Sequence, residues 1–183
     1  MTKNRLPDQG EAVVGLKLAT DTARRLLDSA QLLAAGQHYG PARSLAVLAF
    51  EESVKARTLA HIAEAGGGVI FSEDDLKKII FSGHTERHRT GFYQHMVSEY
   101  PAALFKALAG LKVEADEVKA VTEWSELKDS ANATKMAGFY TDFDPPTSKW
   151  RTPASVSQAE FEKTYNLAKA FQDATESIIK DFR

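Results

Sequence analysis

From Glu11 to Ala35 apolar and polar residues alternate with the period of an α-helix, about 100° per residue. Ala12, Leu16, Ala19, Ala23, Leu26, Leu27, Ala30 and Leu33 fall on one face, with Lys17, Asp21, Arg24, Arg25 and Asp28 on the other. Gly36 stands where such a helix stops, and His38 to Pro41 supply a turn. A second helix is expected from about Pro41 to Ala65, ending at the glycine run Gly66–Gly68. Ser72 followed by Glu73, Asp74 and Asp75 reads as an N-cap with an acidic first turn, opening a short helix to about Phe81. A histidine-rich stretch comes next, and Pro101 breaks or restarts any helix that contains it. Residues 114–137 carry a weaker helical pattern. Phe139 to Pro153 contains three prolines and reads as an irregular, aromatic loop. A last helix, about Ser157 to Phe182, sets Phe161, Ala168, Phe171, Ile178 and Phe182 along one stripe. No strand-like alternation and no internal repeat is present. The expected fold is all-α: an antiparallel helical bundle led by two long helices, one domain spanning residues 1–183.

Composition narrows the classes. With 183 residues, 43% of them hydrophobic, the chain can bury a core without staples. It has no cysteine, which removes disulfide frameworks and thiolate zinc sites. A net charge of −2 argues against broad nonspecific attraction to nucleic acid but permits a local basic patch. The first fourteen residues lack the apolar stretch of a signal peptide, and no run is long enough to span a bilayer. A cytoplasmic protein without membrane contact is the expectation.

Two features then call for chemistry. On the second helix Leu45, Leu48, Ala49, Ala56, Leu59 and Ala63 form the apolar stripe; Glu52 projects from its middle, Lys55 sits at its edge, and Glu51 lies to the side. A carboxylate on a core stripe is costly unless paired. An internal Glu52–Lys55 pair would satisfy it; so would a cationic or imidazole partner from a neighbouring helix. The stretch GHTERHRTGFYQH, residues 83–95, could supply that partner. If it is helical, His84, His88 and His95 return to nearly one ridge, with Arg87 beside His84 and Gly91 leaving room on the ridge for a ligand or a neighbouring backbone.

Three readings of the ridge compete. HTERH has the His-x-x-x-His spacing of a zinc helix, but its glutamate is third rather than second and no third ligand is evident, so no metal or other cofactor is expected. A histidine could instead take the proton of a ribose 2′-hydroxyl while an arginine balances charge on the phosphoryl oxygens. The third reading is a solvated, histidine-rich surface. Bland roles are assigned elsewhere: His38 to the first turn, His61 and Arg57 to a solvated outer face. Trp124, Tyr140, Phe143 and Trp150 are read as packing anchors.

The helix pair from Gly15 to Ile62 resembles the opening of the AbiV family of abortive-infection proteins, whose second helix carries an Ala-x-Glu-Glu-x-x-Lys signature. Here that is AFEESVK, with Glu51, Glu52 and Lys55 at the matching positions; the family's common Leu-Gly before the lysine is Ser-Val. His84-Thr-Glu-Arg87 resembles the family's His-x-x-Lys, with arginine for lysine. KMAGFYTDFD, Lys135 to Asp144, resembles the lysine and Gly-Leu-Tyr-Val-Asp segment before its last helix. The family is similar to the HEPN superfamily, helical bundles that often dimerise. Many are metal-independent ribonucleases with an Arg-x4–6-His motif, which Arg89 and His95 fit with five residues between them; others only bind.

The resemblance implies a homodimeric phage-defence toxin that acts on RNA or the translation machinery, with a phage-encoded activator as a further partner. On that reading Glu52, His84, Arg87 and His88 are the catalytic candidates. Glu52 would orient His84 or Arg87, a histidine would act as general base or acid, and Arg87 or Arg89 would hold phosphate. Lys55, Arg89 and His95 would bind RNA or form the alternative catalytic pair. The competing class is a catalytically silent helical module that binds a protein or RNA, in which Glu52, Lys55 and Arg87 only fix helix register.

Overall fold

The computed structural model describes residues 5–65 and 72–182; the glycine run Gly66–Gly68 expected to end the second helix lies outside them. Helix α1 spans Gln9–Ala35 and opens on a reciprocal cap. The Asp8 carboxylate accepts from the Glu11 backbone N–H at 2.9 Å, and the Glu11 carboxylate accepts from the Asp8 N–H at 3.0 Å. It ends at Gly36, and Gln37 takes a positive φ of 62° to turn the chain. Helix α2, Tyr39–Ala65, runs back against α1. Ala12, Ala23 and Ala30 of α1 and Ala42, Ala46, Ala49 and Ala56 of α2 have no exposed surface, so the two helices meet through small side chains.

Helix α2 is the centre of the bundle. Besides α1 it packs against α4 (His84–Glu99), α6 (Ala115–Phe139) and α7 (Gln158–Ile179). Residues are therefore buried all round it: Val47, Ala49, Phe50, Glu51, Ser53 and Val54 each have at most 1% of their surface exposed. The single apolar stripe expected for this helix is not how it is used. At its midpoint Phe50 meets Phe171 edge-on with ring centroids 5.0 Å apart, and Trp124 lies 5.7 Å from Phe50. Burial of such a side chain is worth about 1.5–3 kcal/mol, and an aromatic pair adds about 0.5–1.5.

Two glycines fix how the outer helices approach. Helix α4 crosses α2 at Gly91, where a Cβ would lie 2.6 Å from Val54 Cγ2 and closer still to the Phe50 ring. The space expected there for a ligand is filled by α2's own side chains. Helix α6 comes equally close at Gly138, where a Cβ would lie 2.8 Å from the Gly40 carbonyl carbon. The Ser44 hydroxyl donates to the Lys135 carbonyl at 2.7 Å, fixing the register of that crossing.

The remaining elements connect these. Ser72 caps the short helix α3, Glu73–Lys77, which continues as a π-helical turn through Lys78–Ser82 into α4. Helix α5, Pro101–Leu108, restarts at the proline as expected. The stretch after α6 departs from expectation. Strands β1 (Asp142–Asp144) and β2 (Lys149–Arg151) form a small antiparallel hairpin in which Phe143 pairs with Trp150. A three-residue strand is too short to show alternation, so the pattern could not announce it. Nor do its aromatics pack into the core: Trp150 is 69% and Tyr140 59% exposed, and only Trp124 of the four is a buried anchor.

Candidate active site

Glu51, not Glu52, is the buried carboxylate. It is 1% exposed, and the walls of the bundle bring four nitrogen-bearing groups to it. His84 bonds to Oε2 through Nδ1; His88 Nε2 bonds to Oε1 at 2.9 Å. The Lys135 ammonium donates to Oε1 at 2.9 Å, and Arg87 stands 3.8 Å from Oε2. Three of the four partners come from α4, His84 and His88 one helical turn apart with Arg87 between them, so the ridge forms only because this stretch is helical. Lys135 comes from α6 through the crossing that Gly138 and Ser44 set.

The electrostatics follow from burial. Desolvation pushes the Glu51 carboxyl upward, but hydrogen bonds from His88, Lys135 and His84 outweigh it and hold the pKa at about 2. A carboxylate only accepts, so each ring nitrogen bonded to it carries a proton. His84 thus carries its proton on Nδ1, so that in the neutral ring Nε2 is the lone-pair nitrogen, and the side chain is 54% exposed. His88 is 1% exposed and serves to position the carboxylate. One carboxylate against two permanent cations, Arg87 and Lys135, leaves the cluster net positive while both imidazoles are neutral.

Arg87 is committed elsewhere too. Its Nε and one terminal nitrogen donate to the carbonyls of Ile79 and Ile80, at 2.7 and 3.1 Å. Those acceptors belong to the π-helical turn, so the guanidinium ties that turn to α4. At 8% exposure it is not placed to grip a phosphate in solvent.

The other expected residues do not join this cluster. Glu52 points away and takes both oxygens to Lys55, 2.7 and 2.8 Å from the ammonium. It orients neither His84 nor Arg87. Burial on every side of α2 is the reason: a one-residue step rotates the side chain about 100°, from the α4–α6 groove to the flank. Arg89 is exposed and bonds to Glu86 on its own helix. His95 is 6% exposed, its ring 3.9 Å from that of Trp124. Burial, with Arg57 nearby, lowers its pKa to about 4, so it is neutral at pH 7. The Arg-x5-His spacing therefore puts its two ends on opposite sides of α4, one in solvent and one in the aromatic core.

Lys135 is the member sequence reasoning passed over as a site residue. Trp124, Leu127, Ala131 and Lys135 recur at spacings of three and four, so the lysine falls on an otherwise apolar stripe. That is the anomaly that could have found it.

A family model described as AbiV, in the HEPN group, matches residues 11–173. The chain belongs to the AbiV family. The all-α bundle fits that membership, and the family is one of abortive-infection, phage-defence proteins. No curated protein and no solved structure gives a match. The AbiV-like positions noted in the sequence converge here: the Glu-Glu pair supplies Glu51, the His-x-x-Arg supplies His84 and Arg87, and the segment before the hairpin supplies Lys135. Among the described residues no group of three or more His, Cys, Asp and Glu side chains is arranged to hold a metal ion, and no helix is long and apolar enough to cross a membrane.

Proposed function

We propose that the chain is an RNA-targeting abortive-infection toxin whose reactive group is His84. One observation carries the reading: His84 is half-exposed and its Nδ1 is bonded to a fully buried carboxylate. Nε2 is then the atom that removes the proton from a ribose 2′-hydroxyl. The resulting alkoxide attacks the adjacent phosphorus, the bond from phosphorus to the 5′-oxygen breaks with that oxygen taking a proton from water, and a 2′,3′-cyclic phosphate results. Glu51 keeps the ring in the right tautomer and stabilises the imidazolium that forms. The net positive cluster favours a phosphate nearby, and Arg89, exposed on the same helix, can exchange Glu86 for it. RNA of the translation machinery is the target, a homodimer in the cytoplasm the working form, and a phage-encoded component the trigger.

A second reading rests on a different observation. Arg87, His88 and Lys135 are each less than 10% exposed, and the Arg89–His95 pair is not assembled. A network so buried can serve to lock α2, α4 and α6 in register, leaving a module that binds without cleaving.

Incubation of total RNA, tRNA and ribosomes with the purified protein in EDTA separates the two. Wild type should cleave, and His84→Gln should lose at least about 10²-fold in rate with unchanged circular dichroism. His88 is unsuitable as a probe because it is core. Cleavage undiminished in His84→Gln removes His84 from the chemistry; intact RNA in every case favours the binding module.

A further inference from the structure

Helices α4, α5 and α6 surround a slot of about 260 Å³ that none of the Glu51 cluster lines. Each helix lends it a pair of residues one turn apart: Phe92 and Met96, Ala103 and Ala107, Val118 and Thr122. The two alanines make the room, because their methyl groups do not reach across to α6. Among the described residues the polar link between α5 and α6 is one ion pair, the Lys106 ammonium 3.2 Å from a Glu117 carboxylate oxygen. Met96 and Ala103, each 2% exposed, close the floor. Leu104, Val113 and Val121 are half-buried walls, and Ala107, Val118 and Thr122 are exposed at the mouth. The apolar walls are therefore open to a molecule arriving from solvent.

No side chain in the slot asks for a charge or a hydrogen bond. Among the described residues no charged side chain lines it, and Thr122 is its one polar side chain. The Thr122 hydroxyl already donates to the Val118 carbonyl at 2.9 Å. Two lysines beside the slot are paired. Lys106 bonds to Glu117, whose carboxylate also accepts from the Glu114 N–H at 3.1 Å. Lys128 lies 3.3 Å from Asp129, with its ammonium 5.1 Å from the centre of the Phe92 ring. A charged ligand would shed water here and find no counter-ion in the walls. An apolar guest instead removes its own surface and that of the walls from water together. The volume limits the guest. An apolar cavity of about 150 Å³ can hold benzene, so this slot takes about eight to ten non-hydrogen atoms. It is too narrow for a helix, which measures about 10 Å across with its side chains.

We infer that the slot binds a neutral, apolar small molecule about the size of an alkyl-substituted benzene ring. The ring would lie against Phe92, Leu104, Val118 and Val121, filling the gap that the alanines leave and fastening α5 to α6. A protein partner's side chain entering the slot would bring a surrounding surface down on the Lys106–Glu117 pair, and interface centres are poor in charge. A free molecule of this size leaves that pair in water. The site shares no residue with the Glu51 cluster and stands whether or not the chain cleaves RNA.

The test follows the methyl signals of the whole chain, ¹³C-labelled at Met, Leu and Val, as ethylbenzene is added. Saturable shifts at Met96, Leu104, Val118 and Val121 are expected, with a Kd below about 1 mM. Benzylammonium, in which the terminal methyl becomes a cation, and phenylacetate should each bind at least roughly tenfold more weakly. Ala107 is exposed on a helix, so Ala107→Leu should fold while filling the mouth. It should weaken ethylbenzene at least about tenfold with circular dichroism unchanged. Phe105→Ala removes a side chain that is 68% exposed and does not line the slot, and it should leave the binding as it is. No saturation, shifts scattered over other methyls, equal binding of either ion, or full binding to Ala107→Leu overturns the proposal. Binding that disappears as protein concentration rises would give the slot to a second copy of the chain, and overturns it as well.

Discussion

Replacing Glu51 by Gln keeps the side chain's volume and one acceptor oxygen but removes the charge. The Lys135 ammonium, 7% exposed, then loses the anion 2.9 Å away, and Arg87 loses its only described carboxylate neighbour. Two routes give the size of the effect. Breaking a buried ion pair from one side costs about 3–5 kcal/mol. Independently, holding the carboxyl at about 2 against an ordinary 4.5 corresponds to roughly 3 kcal/mol in favour of the charged, bonded form. Glu51→Gln should therefore lower unfolding free energy by about 3 kcal/mol or more in urea denaturation followed by far-ultraviolet circular dichroism. Glu52→Gln disturbs a partly exposed pair one position away and should cost no more than about 1 kcal/mol. The pH dependence adds a second signature. A depressed folded-state pKa gives stability that is present above 4.5 and lost as pH falls toward 2. Wild type should lose that increment between about pH 5 and pH 2, and the Glu51→Gln protein should not, so the two curves converge in acid. A Glu51→Gln cost no larger than that of Glu52→Gln, or a gap that stays constant down to pH 2, would show that Glu51 carries no such stabilising charge.

Other outcomes follow from the same contacts. His95, ordinarily near 6.5 and held at about 4, is neutral in the fold, so its contribution is present above pH 6.5 and fades as pH falls to 4; His95→Phe should flatten that part of the stability curve. Gly91→Ala drives a methyl into Val54 and Phe50 and should cost about 1–3 kcal/mol in melting experiments, whereas Gly10→Ala, whose nearest neighbour is 3.5 Å away, should be neutral or mildly stabilising. Trp150→Ala removes a side chain that is 69% exposed and should shift stability by no more than about 0.5 kcal/mol. A loss of several kcal/mol there would restore the packing role the sequence suggested.

How much of this could be read from the chain depended on how many sides of each helix are covered. Helices α1 and α7 bury one face each, so their apolar stripes gave their extents within a few residues, and the reciprocal cap at Asp8 and Glu11 marks the start of α1. Helix α2 is enclosed, so no single stripe exists, and a pattern built for one face chose Glu52 over Glu51. The histidine ridge was legible because His84 and His88 are four residues apart, one helical turn. His95 shares their angle but lies two turns on, where the neighbours are Trp124 and Phe171 rather than a carboxylate. Lys135 is 84 residues from Glu51, a pairing that only the packed bundle reveals. Arg57, expected on a solvated face, is 6% exposed, and the reason is the same as for Glu51: an outer face was assumed on a helix that has almost none.

A buried carboxylate that bonds Nδ1 of a half-exposed His84 fixes one tautomer of the neutral ring. Long-range ¹H–¹⁵N spectroscopy of the imidazole nitrogens measures this directly. At a pH where the ring is neutral, His84 should show a protonated Nδ1 and an unprotonated Nε2, the Nδ1 proton in slow exchange. A His84 ring protonated at Nε2, or averaging between the two forms as a solvated imidazole does, would contradict it.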